Sequence, residues 1–302
     1  MPEIFVASKP FDRSEFPPAE KPFPIIEVFG YDRHLPTAEA QANFNARHCP
    51  FANKACEKFR QYGYGYCSVQ YRTEDDTDYE VYAVCDHRLD GAPVMSAVND
   101  YFASTGSVRL IEEVKLTNPN QSFDFVALDT ATDDFVAIET QAIDLRGGGV
   151  GPAWAGILEG VPSKWRTLYT EEARREERKD NVAYGVNTAN ITKRLGVQIA
   201  EKSSLMASLG AKLYVVTQDS CFKYMSKRIP TTWSATPEQP WDITFISWDF
   251  TGKVLPNGQR ETEHKETKRT TLASFAEALA RSTATITRVE FLKKVKKKGG
   301  LS

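Results

Sequence analysis

Hydrophobic and polar positions change period several times along the chain. Apolar or aromatic residues alternate with others over 64–71 and again over 79–85, on either side of the acidic turn TEDDTD, which predicts a β-hairpin. Before it, IIEVFG is a short apolar run, and 36–47 has helix-favouring composition after the turn-like YDRHLP. Residues 93–104 read as a helix, followed by strands at 108–116, 123–128 and 135–141. Beyond the glycine run at 147–149 the pattern becomes helical, with a charged segment at 164–179 and an amphipathic one at 189–209. A compact strand at 212–217, the strand-like DITFISWDF, a turn at Pro256-Asn257-Gly258, a helix over 272–280 and a basic KKVKKKGG tail complete the series. Strands, then helices, then more strands predict a mixed α+β fold, a central mixed sheet flanked by helices, rather than a repeating βαβ array. No internal repeat is present.

At 302 residues the chain can bury a large core without disulfides. No apolar run approaches the roughly 18 residues of a membrane span, and MPEIFVASKPFDRSEF lacks the pattern of a signal peptide, so a cytoplasmic location without membrane contact is expected. Residues 1–24, rich in proline and polar side chains, read as an extended arm. The formal charge of −2 provides no overall basic footprint for a polyanion, although a basic groove can coexist with acidic site residues.

Four of the five cysteines, Cys49, Cys56, Cys67 and Cys85, are separated by 6, 10 and 17 residues, while Cys221 stands apart. In a reducing compartment disulfides among them are not expected. The loop CPFANKAC and the two hairpin strands can converge four sulfurs on one zinc or iron, in a closed and hence structural site; an iron–sulfur cluster is the variant and small buried core thiols the alternative.

SFDFVALDTATDDFVAIETQ carries the densest chemistry. If its strands join through Ala131-Thr132, facing residues have numbers summing to 263, which sets Asp124 opposite Glu139. Such residues have Cβ atoms about 4.5–5.5 Å apart, and two negative charges there repel unless a cation lies between them. Hard oxygen ligands select Mg²⁺ or Mn²⁺, which clamp phosphate oxygens and acidify a bound water. Gln141, on the same face as Glu139, is a candidate to orient that water; the competing reading is a pair of charged strand ends held by salt bridges. Apolar residues on both faces of these strands predict a central sheet.

An Asp, a 14-residue gap and Glu-Thr-Gln resemble the core of the PD-(D/E)xK nucleases, in the variant with Gln in place of the usual Lys. The order CPF, two further cysteines, VCDHRLDG, FDF and ETQAID is similar to the NotI-like Type II restriction endonucleases over about residues 26–147. The resemblance implies a PD-(D/E)xK core over 93–302 with DNA-recognition elements and a four-cysteine subdomain over 25–92. It implies Asp124 and Glu139 as ligands of catalytic Mg²⁺, Gln141 in the place of the lysine, Glu113 as an additional acidic residue, and Cys49, Cys56, Cys67 and Cys85 around one structural Fe or Zn. It also implies a homodimer acting on a palindrome in double-stranded DNA, because two-fold symmetry in the target is matched by two-fold symmetry in the protein. Two alternatives stand beside these assignments. Glu112 competes with Glu113, and Glu113-Val114-Lys115 with Asp100 forms a second Glu-x-Lys arrangement. An iron–sulfur repair nuclease and a noncatalytic DNA-binding protein built on the cysteines are the rival functions.

His48 and His87 lie close to ligand cysteines and are alternative ligands, while no histidine pair has zinc-hydrolase spacing. GGGVG lacks the lysine and hydroxyl of a phosphate-cradling loop, and EEARREERKD reads as a solvated helix face.

Overall fold

The alternating segments near the N terminus pair as expected. β5 (Tyr66–Arg72) and β6 (Tyr79–Ala83) form an antiparallel hairpin, joined by β1 (Ile25–Val28) and β2 (Tyr31–Asp32) in a four-stranded sheet of order β2-β1-β5-β6. The computed structural model describes residues 22–35, 37–72, 78–146, 150–175, 177, 184–236, 238–282 and 287–298, so the arm read at 1–24, the glycine run and part of EEARREERKD fall mostly or wholly outside the described residues. Between β2 and β5 lie α1 (Ala38–Ala46), the short pair β3 (His48–Cys49) and β4 (Lys54–Ala55), and α2 (Glu57–Tyr62). Thr37 caps α1 by accepting the Ala40 N–H.

After α3 (Ala92–Tyr101), the strands β7 (Val108–Thr117), β8 (Asn120–Asp129) and β9 (Phe135–Gln141) form an antiparallel meander. The pairs Phe125↔Ile138, Val126↔Ala137 and Leu128↔Phe135 set the register of β8 on β9. The turn is longer than two residues: the Asp129 N–H donates to Asp134 O (2.8 Å), and Asp133 takes a left-handed conformation, φ 59°. Ala131-Thr132 remains its centre, so the register matches that of the tighter turn. The Asp129 carboxylate fixes the loop by accepting from Ala131 N and Thr132 Oγ1, both at 2.9 Å.

The strand pair β10 (Leu145–Arg146) and β11 (Gly185–Val186) encloses α4 (Gly151–Leu158) and α5 (Trp165–Arg175) in sequence. The chain continues through α6 (Thr188–Asn190), a π-helical turn (Ile191–Gly196) and α7 (Val197–Ser208) into β12 (Lys212–Gln218), parallel to β9. α8 (Asp219–Arg228) leads to β13 (Ile243–Val254), parallel to β12, and β14 (Arg260–Thr270) closes the edge antiparallel to it. The six strands run β14-β13-β12-β9-β8-β7, a mixed sheet. α9 (Leu272–Ser282) and α10 (Arg288–Lys298) end the described chain, and no residue of α10 is buried.

Helices cover both faces of this sheet. On one, Ala137, Leu213, Val215 and Phe245 pack with Trp154, Ile199, Met206, Phe222 and Phe275. On the other, Phe125, Val136, Ile138, Tyr214 and Val216 pack with Val94, Ala97 and Val98 of α3. The first cluster continues into the four-stranded sheet through Ile25, Val28, Tyr66, Val69 and Tyr82, so one apolar core spans both sides of residue 92. A buried ion pair reinforces the junction. Arg88 Nε lies 3.1 Å from both carboxylate oxygens of Glu27, and its guanidinium stacks between Phe51 and Phe250 while donating to Arg260 O.

β14 has no sequence-level signal. RETEHKETKRT contains no large apolar residue, and its extended form rests on pairing along β13. Alternating charges on an edge strand also discourage pairing with another chain. Among the described residues, no helix is long and apolar enough to cross a membrane.

Candidate active site

One step beyond the ladder pair Phe125↔Ile138, Asp124 on β8 faces Glu139 on β9. Asp124 Oδ2 accepts from Thr140 N (2.9 Å) and Thr140 Oγ1 (3.2 Å), which ties its carboxylate to the neighbouring strand. Glu139 is 13% exposed, and its Oε2 accepts from Lys202 Nζ of α7 at 2.5 Å. Its Oε1 is buried and has no hydrogen-bond partner. Burial first, then the charge of Asp124, pushes the Glu139 carboxyl up to about 7, against the downward pull of Lys202 and the Asp124 N–H.

Glu113 lies between the ladder pairs Glu112↔Phe125 and Val114↔Phe123, and so faces Asp124 from the other side. Glu113, Asp124 and Glu139 thus occupy neighbouring positions on three adjacent strands; Glu113 and Asp124 line one cleft, whereas Glu139 is not among its lining residues. Glu113 departs from the strand conformation (φ 51°), an uncommon backbone state for a residue with a side chain. Its exposed carboxylate meets Lys115 Nζ at 3.3 Å and Lys54 Nζ at 3.8 Å. Glu112 and Glu113 both line a cleft of about 750 Å³ together with Asp124, Lys54 and Lys58.

Asp86, which sequence reasoning did not select, reaches the same cleft and directly follows Cys85. Its Oδ1 accepts the Ala142 N–H at 2.6 Å. Although open to the cleft, it is walled by protein that raises its pKa, and the charge of Asp124 raises it further. Gln141 faces elsewhere: its amide donates to Ala142 O (2.5 Å), and it lines a separate pocket of about 180 Å³ with Asp86, Asp144 and Arg194. Asp100 is engaged on the far side of the sheet, accepting from Tyr214 Oη (2.6 Å) and Arg269 Nη2 (2.6 and 2.8 Å), which separates it from the Glu-x-Lys element.

The cysteines occupy one neighbourhood. Charge on Cys85, Cys49 and Cys56 acts on Cys67, and all four thiols are pushed up chiefly by burial, Cys85 to about 12. Each sulfur is also met by main-chain N–H groups: Phe51 and Ala52 at Cys49, Lys58 and Phe59 at Cys56, Gly30 (3.2 Å) at Cys67, and His87 at Cys85. N–H donors favour the thiolate over the thiol, and thiolates bind soft metal ions. Gly30 is required at this approach, because it has φ 86° and a Cβ there would lie 2.4 Å from Pro50 Cγ. Among the described residues, no three His, Cys, Asp or Glu side chains are drawn together tightly enough to hold a metal ion. Four cysteine sulfurs are the donor type that a structural Fe or Zn takes. His48 and His87 are turned to Asn43 (2.8 Å) and Asp90 (2.6 Å).

The carboxylates are hard oxygen donors, unlike the thiols. Two neighbouring carboxylates, one with a buried oxygen that makes no hydrogen bond, are the donor type and number that Mg²⁺ takes when it keeps most of its waters. No family model matches this chain, and no curated protein matches it.

Proposed function

We propose that this protein is a Type II restriction endonuclease with a PD-(D/E)xK core, hydrolysing phosphodiester bonds at a short palindrome in double-stranded DNA as a homodimer. The observation that carries the reading is the Asp124–Glu139 pair, two carboxylates facing each other across central strands with Glu139 Oε1 unpartnered. The order of the cysteine and carboxylate motifs supports the family assignment.

Asp124 and Glu139 would hold Mg²⁺, which when bound supplies a water of lowered pKa and positive charge at the phosphate. Thr140 fixes the Asp124 carboxylate, so one oxygen direction is set before any ligand arrives. Lys54, Lys58 and Lys115 line the cleft and are suited to the DNA backbone, whose phosphates dominate affinity. Of the four cysteines Cys85 lines the cleft beside Asp86, Lys54 and Lys58, so a metal held by the cysteines would act structurally, by fixing that wall.

Plasmid incubated with the protein and Mg²⁺ is expected to give discrete fragments, and Glu139→Ala is expected to abolish cutting with fold and Cys-bound metal retained. Binding without cutting by the native protein would leave only a DNA-binding role, and persistent cutting by the variant would place the chemistry elsewhere.

A further inference from the structure

Lys202 is a lysine with only 14% of its side chain exposed, placed on a helix that otherwise turns Ile199, Ser203 and Met206 into the core. Lysine is rarely this buried unless paired. Its ammonium group meets Oε2 of Glu139 at 2.5 Å and lies 5.4 Å from the centre of the Phe123 ring, leaving Oε1 of Glu139 with no partner. Buried ion pairs of this kind contribute little net stability relative to apolar residues of similar size. Apolar packing therefore gives no reason for a lysine at this position; its partner, the buried Glu139 carboxylate, does. Gln141, two residues beyond Glu139 on the same strand, is turned to Ala142 and a different pocket.

We propose that Lys202 is the positioning residue of the cation site: it holds Oε2 of Glu139 so that Oε1 alone is presented to the divalent ion, a task Gln141 does not perform. The inference rests on Asp124 and Glu139 binding a cation. With Oε2 released, Glu139 is free to grip the ion with both oxygens, tightly but out of place. A displacement of about 1 Å is enough to cost ~100-fold in rate. Removing the ammonium also removes a positive charge that repels the ion.

The test compares wild type, Lys202→Met, Lys202→Arg and Glu139→Gln by Mn²⁺ binding, by thermal melting and by Mg²⁺-dependent plasmid cleavage. Lys202→Met is expected to melt cooperatively and bind Mn²⁺ as tightly as wild type or more so, yet cleave ~100-fold more slowly. Lys202→Arg, which keeps the charge but whose planar fork can take both oxygens of Glu139, is expected to melt cooperatively, to bind Mn²⁺ more weakly than wild type and to cleave more slowly. Wild-type cleavage by Lys202→Met overturns the inference, as does a parallel loss of Mn²⁺ affinity and cleavage in that variant, which marks a merely structural role. If Lys202→Met does not fold, Lys202→Arg decides, and a folded Lys202→Arg that binds Mn²⁺ and cleaves as wild type does overturns the inference. A wild-type protein whose Mn²⁺ binding and cleavage equal those of Glu139→Gln removes the cation site itself; intact wild-type activity with indifferent Lys202 variants removes only the role of Lys202.

Discussion

Glu139 makes the cation argument measurable without DNA. Its carboxyl is raised from the ordinary 4.5 to about 7, by burial and by Asp124. For a raised acid the folded state keeps its proton to higher pH than the unfolded chain. The associated stability is therefore fully present below the unfolded value near 4.5 and is lost as pH climbs through about 7. At about 1.4 kcal/mol per pH decade, the ionised group costs the metal-free protein about 3 kcal/mol by pH 8. Urea unfolding of wild type and Glu139→Gln from pH 5 to 8, without divalent cation, reports Glu139 together with its coupled partners Asp124 and Lys202, because titrating groups that do not interact with it cancel in the difference. The glutamine variant is expected to gain about 2.5 kcal/mol relative to wild type between the two ends, and added Mg²⁺ is expected to close the gap by stabilising wild type alone. A difference that stays constant across the range would show that the carboxylate bears no strain, and the electrostatic motive for a cation would fall with it.

Arg88→Met strands the buried carboxylate of Glu27 and is expected to destabilise by about 3–5 kcal/mol, seen as a large fall in Tm; Glu27→Leu with Arg88→Met should recover most of it. Elemental analysis is expected to find Fe or Zn, and Cys67→Ser should release it, while chelation should make the half-buried Cys56 and Cys85 reactive to a thiol reagent before the buried Cys221. Replacing Lys293, Lys294, Lys296, Lys297 and Lys298 with Gln should leave Tm unchanged, since α10 is exposed throughout, and should reduce the salt dependence of DNA binding by about 0.9 in slope for each phosphate that is no longer neutralised.

The period of the side chains was enough to place β5, β6, β7, β8, β9, β12 and α3, because each segment's apolar face is a local property of the chain. It also sufficed for the facing of Asp124 and Glu139. In a hairpin a single number fixes every pair, and a four-residue loop centred on Ala131-Thr132 preserves that number. β14 was hidden because its eleven residues are polar and owe their extension to β13, and the tail gave no helical signal although Arg288–Lys298 form α10.

Lys202 had no legible signal either, and Asp86 only its place in the motif VCDHRLDG. Lys202 lies 63 residues from Glu139 in sequence, and only the parallel pairing of β12 with β9 and the packing of α7 bring them together. Asp86 follows Cys85, but its approach to Asp124 depends on docking the four-stranded sheet against the six-stranded one through a shared core. The sequence by itself thus determined the elements and the one carboxylate pair lying within a single hairpin. The tertiary structure decided which cation holds Glu139, which way Gln141 turns and which wall faces Asp124, because these depend on contacts between segments whose spacing along the chain carries no trace of their distance in space.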